Sequence, residues 1–112
     1  MMMYGVGVDK KIDRILKNTD SLMNKYFSYN EINLVPLAKR YIMNYLDNVG
    51  CVVFGRLVVL CNVCYLLAVK FLLDEYPRLV DYSNIVCISK DDLIDSEYTI
   101  AVNLNFNFNV DI

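Results

Sequence analysis

The sequence contains no histidine, so it lacks the commonest general base and the commonest metal ligand of proteins. Gly5-x-Gly7 is too short for a phosphate-binding loop and follows no predicted strand. Cys61-x-x-Cys64 has a redox or half-zinc spacing, but its apolar surroundings lack the electropositive, partly exposed setting of a reactive thiol. We interpret the acids Asp91, Asp92, Asp95 and Glu97 as a solvated helix start. The sequence therefore predicts no enzyme, no cofactor and no metal site.

The most apolar stretch, residues 54–73, is also too short to cross a membrane. Between Arg56 and Lys70 the uncharged run covers 13 residues, which at about 1.5 Å per residue is roughly 20 Å of helix. A membrane-spanning helix must cover about 30 Å of hydrocarbon. A helix without a polar face must nevertheless be buried. We therefore expect a buried central helix over about residues 52–73, with membrane association peripheral at most.

Composition and charge restrict the class of partner. The net charge is −2 and the isoelectric point about 4.9, which argues against a nucleic-acid binder. Residues 1–56 hold eight Lys or Arg and five Asp or Glu, whereas residues 57–112 hold three and eight. Internal pairing is the preferred explanation, and a weakly basic face on the first half is the other. A hydrophobic content of 56% and a mean hydropathy of +0.33 predict a dense helical core or apolar surface for a partner.

Three of the four cysteines, Cys51, Cys61 and Cys64, lie in or beside the most apolar stretch, and no signal-peptide pattern is present, which favours a reducing intracellular setting. We expect a single domain of residues 1–112. We expect no C-terminal transmembrane anchor, because the chain ends in an Asn-spaced segment.

Hydrophobic periodicity predicts an all-α protein. Apolar residues at helical spacing indicate an amphipathic helix over about residues 8–27 and a second over 34–48, which Gly50 would end as a C-cap. Ser89 followed by Asp92 resembles a capping box and predicts a helix over about 90–102. Residues 81–87 are interpreted as a linker.

The last segment gives conflicting signals. Apolar residues alternate from Ile100 to Ile112, which favours a strand, but the asparagines between them disfavour one. An extended segment would have no partner strand within the chain, so pairing with a second chain as a homodimer is an additional hypothesis.

Phe54-Gly55-Arg56, followed by four aliphatic residues, resembles the first homology region of the Bcl-2 family of apoptosis regulators. In that family an aromatic-Gly-Arg triplet opens the central buried helix. Asp47-Asn48 precedes the triplet, and Ala68-Val69-Lys70 follows it, at about the family's spacing. The resemblance covers roughly residues 9–75. It implies a Bcl-2-like helical bundle, reduced in helix number, in a divergent member such as a viral inhibitor.

The resemblance also implies a function and a binding site. The protein would block apoptosis in the host-cell cytoplasm, or at the mitochondrial surface, by sequestering the amphipathic BH-3 helix of pro-apoptotic proteins in a hydrophobic groove. Arg56 would pair with an aspartate of that helix. The ligand-binding residues so predicted are Asn48, Phe54, Gly55 and Arg56 of the motif region, Val59, Leu60, Val63 and Leu67 as the groove floor, and Leu22, Tyr26, Leu37, Tyr41 and Tyr45 as its walls.

Four alternatives accompany this hypothesis. Arg56 could pair internally with Asp47, and the tyrosine cluster could be plain core. The chain could also be a small membrane-inserting helical protein. Finally, it could be a Bcl-2-shaped protein whose closed groove serves self-association.

Overall fold

The computed structural model describes residues 2–3, 6–26, 34–52, 54–73, 76–105 and 107–108. Over these residues the protein is an all-helical globule of five helices with one very short β pairing. The helices are α1 (Val6–Tyr26), α2 (Leu34–Val49), α3 (Phe54–Leu72), α4 (Leu79–Val86) and α5 (Lys90–Asn103). Strand β1 (Met2–Met3) pairs antiparallel with β2 (Cys51–Val52), Met2 opposite Val52. The all-α prediction is confirmed.

Helix α3 is the centre of the molecule. Every residue from Cys61 to Val69 is buried, and α1, α2 and α5 all pack on this helix. A helix that is apolar on all sides stabilises a fold only when neighbours cover it on all sides. The expectation of a central buried helix is therefore confirmed, although the helix begins at Phe54 and not near residue 52, because Val52 pairs in strand β2. Among the described residues, none of the helices has the length and apolar character that a membrane span requires.

Helices α1 and α2 follow their sequence patterns closely. The α1 face that packs inward is centred on Val8, Ile12 and Leu16, which recur every four residues and are all buried. Helix α2 ends where predicted, at Gly50, whose φ of 89° is favourable for glycine alone. The Gly50 N–H donates to the Leu46 carbonyl at 2.6 Å.

The linker predicted over residues 81–87 is wrong, because α4 occupies most of it. This helix has only eight residues, too few to be stable in isolation. Its Tyr82 side chain is buried, and the Tyr82 hydroxyl donates to the Asn62 carbonyl of α3. Tertiary burial therefore stabilises a helix that the local sequence does not signal. The helix ends at Cys87 in the left-handed conformation, with φ 59°.

Helix α5 is capped as predicted and then extends into the alternating segment. The Ser89 hydroxyl accepts a hydrogen bond from the Asp92 backbone N–H at 3.2 Å. This bond satisfies one of the first-turn N–H groups that have no acceptor within the helix. The helix continues to Asn103, so the strand interpretation is wrong for residues 100–103. Of the rest, 106 and 109–112 lie outside the described residues. Phe108 packs edge-on against Tyr41, with ring centroids 5.6 Å apart.

Candidate functional site

A groove lies where α2, α3 and α5 meet, with a volume of about 460 Å³ counting the space open to solvent. Half-buried Tyr45 and Val59 line it, together with the buried residues Leu60 and Ile100. Its polar lining comes from Arg56 at the start of α3 and from Asp95, Ser96 and Thr99 of α5. The groove therefore combines an apolar floor with a rim that carries charge of both signs.

Arg56 lies in the first turn of α3, and its side chain is exposed. Its Nη2 donates a hydrogen bond to the Ser96 hydroxyl at 3.2 Å. No carboxylate within the described part of the chain forms an ion pair with Arg56, Asp47 included. The internal partner of the guanidinium is thus a neutral hydroxyl, which leaves the positive charge available at the groove.

Four of the predicted ligand-binding residues line this groove, namely Tyr45, Arg56, Val59 and Leu60. Four others are buried in the hydrophobic core instead: Leu37, Tyr41, Val63 and Leu67. Their helical spacing is equally suited to a core and to a groove floor, and the neighbouring helices cover them. The Tyr41 hydroxyl is engaged by donating to the Phe108 carbonyl.

The remaining predicted ligand-binding residues do not line the groove, or their side chains lie outside the part of the chain that the structure describes. On α1, Leu22 is half-buried and Tyr26 is exposed. Asn48 is exposed at the end of α2, where its Nδ2 donates to the Asn103 carbonyl at 2.8 Å. Phe54 and Gly55 begin α3, but the Phe54 side chain falls outside the described part.

Sequence reasoning missed the side of the groove that α5 forms. Asp95 and Thr99 are one helical turn apart, as are Ser96 and Ile100, so the two pairs form one face of α5. That spacing was the available signal. It does not reveal which element the face meets, because α5 follows α3 by a long separation and packs on it only in the folded state.

Cys61 and Cys64 are free and buried in α3. Burial raises the pKa of the Cys61 thiol to about 12. Burial, with the neighbouring Cys61, also holds the pKa of Cys64 well above its ordinary value. Both thiols are therefore protonated near neutral pH, and their role is in packing. Within the described ranges, no group of three or more His, Cys, Asp or Glu residues is placed to hold a metal ion.

No protein-family model matches this chain, and no curated protein matches it either.

Proposed function

We propose that this protein is a small Bcl-2-like inhibitor of apoptosis that captures the BH-3 helix of pro-apoptotic proteins in the α2–α3–α5 groove. The observation that carries the proposal is Arg56, a cation without a carboxylate partner among the described residues, at the edge of an apolar groove. The aromatic-Gly-Arg triplet at the start of the central helix supports it independently.

The groove chemistry suits an amphipathic helix as ligand. Such a helix presents apolar side chains at i, i+3 or i+4 and i+7 to an apolar trough. Val59, Leu60 and Ile100 would receive apolar side chains, while an aspartate of the ligand would accept hydrogen bonds from the Arg56 guanidinium. This function needs neither catalysis nor a cofactor. It places the protein in the host-cell cytoplasm or at the mitochondrial surface.

Calorimetric titration with a synthetic BH-3 peptide tests the proposal. Arg56→Ala should weaken binding by about 2–5 kcal/mol, as expected when one member of a desolvated charge pair is truncated. Arg78→Ala is the matched control, since Arg78 is exposed ahead of α4 and pairs locally with Asp81. Equal affinities for the wild type and Arg56→Ala would contradict the anchor role. Failure of the wild type to bind any BH-3 peptide would contradict the proposed function itself.

The enclosure of Val63 and Leu67 favours one alternative. Only Val59 and Leu60, two of the four predicted floor residues, line the groove. The second candidate is therefore a Bcl-2-shaped protein whose largely closed groove serves self-association. It predicts that no BH-3 peptide binds and that the Arg56→Ala variant behaves like the wild type. The peptide titration therefore discriminates between the two candidates.

A further inference from the structure

Helix α1 segregates its charges onto two sides. Its acids are engaged with neighbouring helices: Asp9 and Asp13 contact the Lys39 ammonium at 3.3 and 2.9 Å, and Asp20 accepts a hydrogen bond from the Tyr65 hydroxyl at 2.7 Å. The hydrogen bond that the Lys39 ammonium donates to the Asp13 carboxylate contributes most to raising the pKa of Lys39. The adjacent side of α1 is exposed and basic, and it carries Lys10, Lys11, Arg14 and Lys17.

A recess with apolar walls opens beside this basic side, between α1 and α3. Its volume is about 400 Å³ counting the space open to solvent, and it is lined by Lys11, Arg14, Ile15, Leu57 and Val58. Val58 is 46% exposed although it belongs to the central helix. We call these five residues the basic recess. Arg14 forms no ion pair with any carboxylate of the described residues.

Helix α5 presents the complementary surface. Ile94, Tyr98 and Val102 are spaced by four residues and lie along one side of the helix, where they are 50%, 69% and 44% exposed. Asp91, three residues before Ile94, is exposed on the same side. The opposite side of α5 packs inward through Leu93, Ile100 and Leu104. We call Asp91, Ile94, Tyr98 and Val102 the acidic stripe.

We propose that the acidic stripe of one copy of this protein docks into the basic recess of a second copy. Tyr98 would enter the recess with its ring against the apolar walls and beside the Arg14 guanidinium, an arrangement that combines apolar burial with a cation–π contact. Asp91 would face the cations of α1. The contact joins two different surfaces, so it is heterologous. Each copy can bind one neighbour through its recess and a second neighbour through its stripe.

Charge complementarity selects a second copy as the occupant. An anionic membrane would attract the α1 cations, but it would repel Asp91 of the acidic stripe, so it would not cover both surfaces. A second copy covers both surfaces at once. The contact does not use Arg56 or Tyr45 of the groove, and the inference therefore stands apart from the proposed function.

Sedimentation velocity of the full chain over a range of concentrations tests the proposal. The wild type should shift from the 13.0 kDa monomer to species beyond a dimer as the concentration rises. Association should weaken by about ten-fold or more in high salt, because ion pairs at an exposed rim are screened. The double variant Ile94→Ser/Tyr98→Ser and the single variant Arg14→Glu should each remain monomeric. Tyr76→Ser is the control, since Tyr76 is exposed outside both surfaces.

Mixing the two monomeric variants gives the decisive result. The intact stripe of Arg14→Glu can dock into the intact recess of Ile94→Ser/Tyr98→Ser, so the mixture should form a one-to-one dimer that does not grow further. A mixture that stays monomeric would overturn the proposal, as would a wild type that is monomeric at every concentration. Binding of a monomeric wild type to anionic vesicles, lost in Arg14→Glu, would assign the recess to a membrane surface and overturn it too.

Discussion

The Arg56 guanidinium of α3 is hydrogen-bonded across the groove to the Ser96 hydroxyl of α5, at 3.2 Å. A neutral acceptor can orient a guanidinium without neutralising its charge. The bond also links the first turn of the central helix to α5, which supplies the other bank of the groove. Arg56 is therefore held at the groove edge, and within the described part of the chain its guanidinium forms no ion pair that would compete with a ligand.

This relationship predicts a graded series of peptide affinities. Ser96→Ala should weaken BH-3 peptide binding least, since Ser96 only orients Arg56. Arg56→Lys should weaken it more, because an ammonium cannot form the two parallel hydrogen bonds of a guanidinium with a carboxylate. Arg56→Ala should weaken it most. Calorimetry on the three variants checks the order, and a Lys variant that binds as tightly as the wild type would contradict the bidentate contact.

The buried polar pair between α1 and α3 should contribute to stability. The Thr19 hydroxyl donates to the Asn62 Oδ1, and the Asn62 Nδ2 donates to the Val58 carbonyl. Thr19→Val should lower the free energy of unfolding by about 1–3 kcal/mol, because it leaves a buried acceptor unsatisfied. Urea denaturation measures the loss. Thr99 is exposed, so the control variant Thr99→Val should lose less stability. A Thr19→Val variant as stable as the wild type would contradict the hydrogen bond between Thr19 and Asn62.

Central burial predicts unequal effects of the same substitution along α3. Val63→Ala should lower the free energy of unfolding by about 1–3 kcal/mol, through lost apolar burial and the cavity left behind. Val58→Ala, on the same helix, should lower it much less because Val58 is about half exposed. Chemical denaturation of both variants at low protein concentration gives the comparison. Equal losses would contradict the assignment of which side of α3 is enclosed.

The two buried thiols predict a loss of stability at alkaline pH. The pKa of Cys61 is raised from 9.0 to about 12, and that of Cys64 is also raised. Above pH 9 the unfolded chain therefore releases thiol protons that the folded chain retains. This contribution to stability is complete below pH 9 and declines above it, for Cys61 up to about pH 12. The decline is up to about 1.4 kcal/mol per pH unit for each thiol.

Urea midpoints at pH 8 and pH 10 measure that decline. Other groups also titrate in this range, so the Cys61→Ala/Cys64→Ala variant is the control, and its midpoint should fall less between the two pH values than that of the wild type. Parallel declines in the two proteins would contradict burial of the thiols in the folded state.

The helices that sequence periodicity predicted are those that carry strong local signals. Residues 8–27 and 34–48 have regular apolar spacing, while Ser89 and Gly50 mark ends through capping chemistry that operates within a few residues. Helix α4 lacks such signals, and its Tyr82 is stabilised by a contact with Asn62, twenty residues away. At Ile100 and Val102 the period-2 pattern gave the wrong secondary structure. Helix α5 continues to Asn103 and therefore includes the first residues of the alternating segment.

The groove was only partly predictable for the same reason. Arg56, Val59, Leu60 and Tyr45 were selected from a family resemblance and helical spacing, and they share one groove. The same spacing also selected Val63, which the core encloses. Spacing shows which residues share a side of a helix. It does not show whether solvent or another helix covers that side.

The sequence by itself determined that the chain is helical, that its most apolar segment is the central helix, and where helices with caps begin or end. These properties depend on interactions between residues a few positions apart. Only the tertiary structure decided which part of the central helix stays open and that α5 forms the second side of the groove beside Arg56. It also decided that the cations of α1 and the acidic stripe of α5 are left exposed. Those features depend on how distant segments cover one another, since burial is a property of the packed chain as a whole.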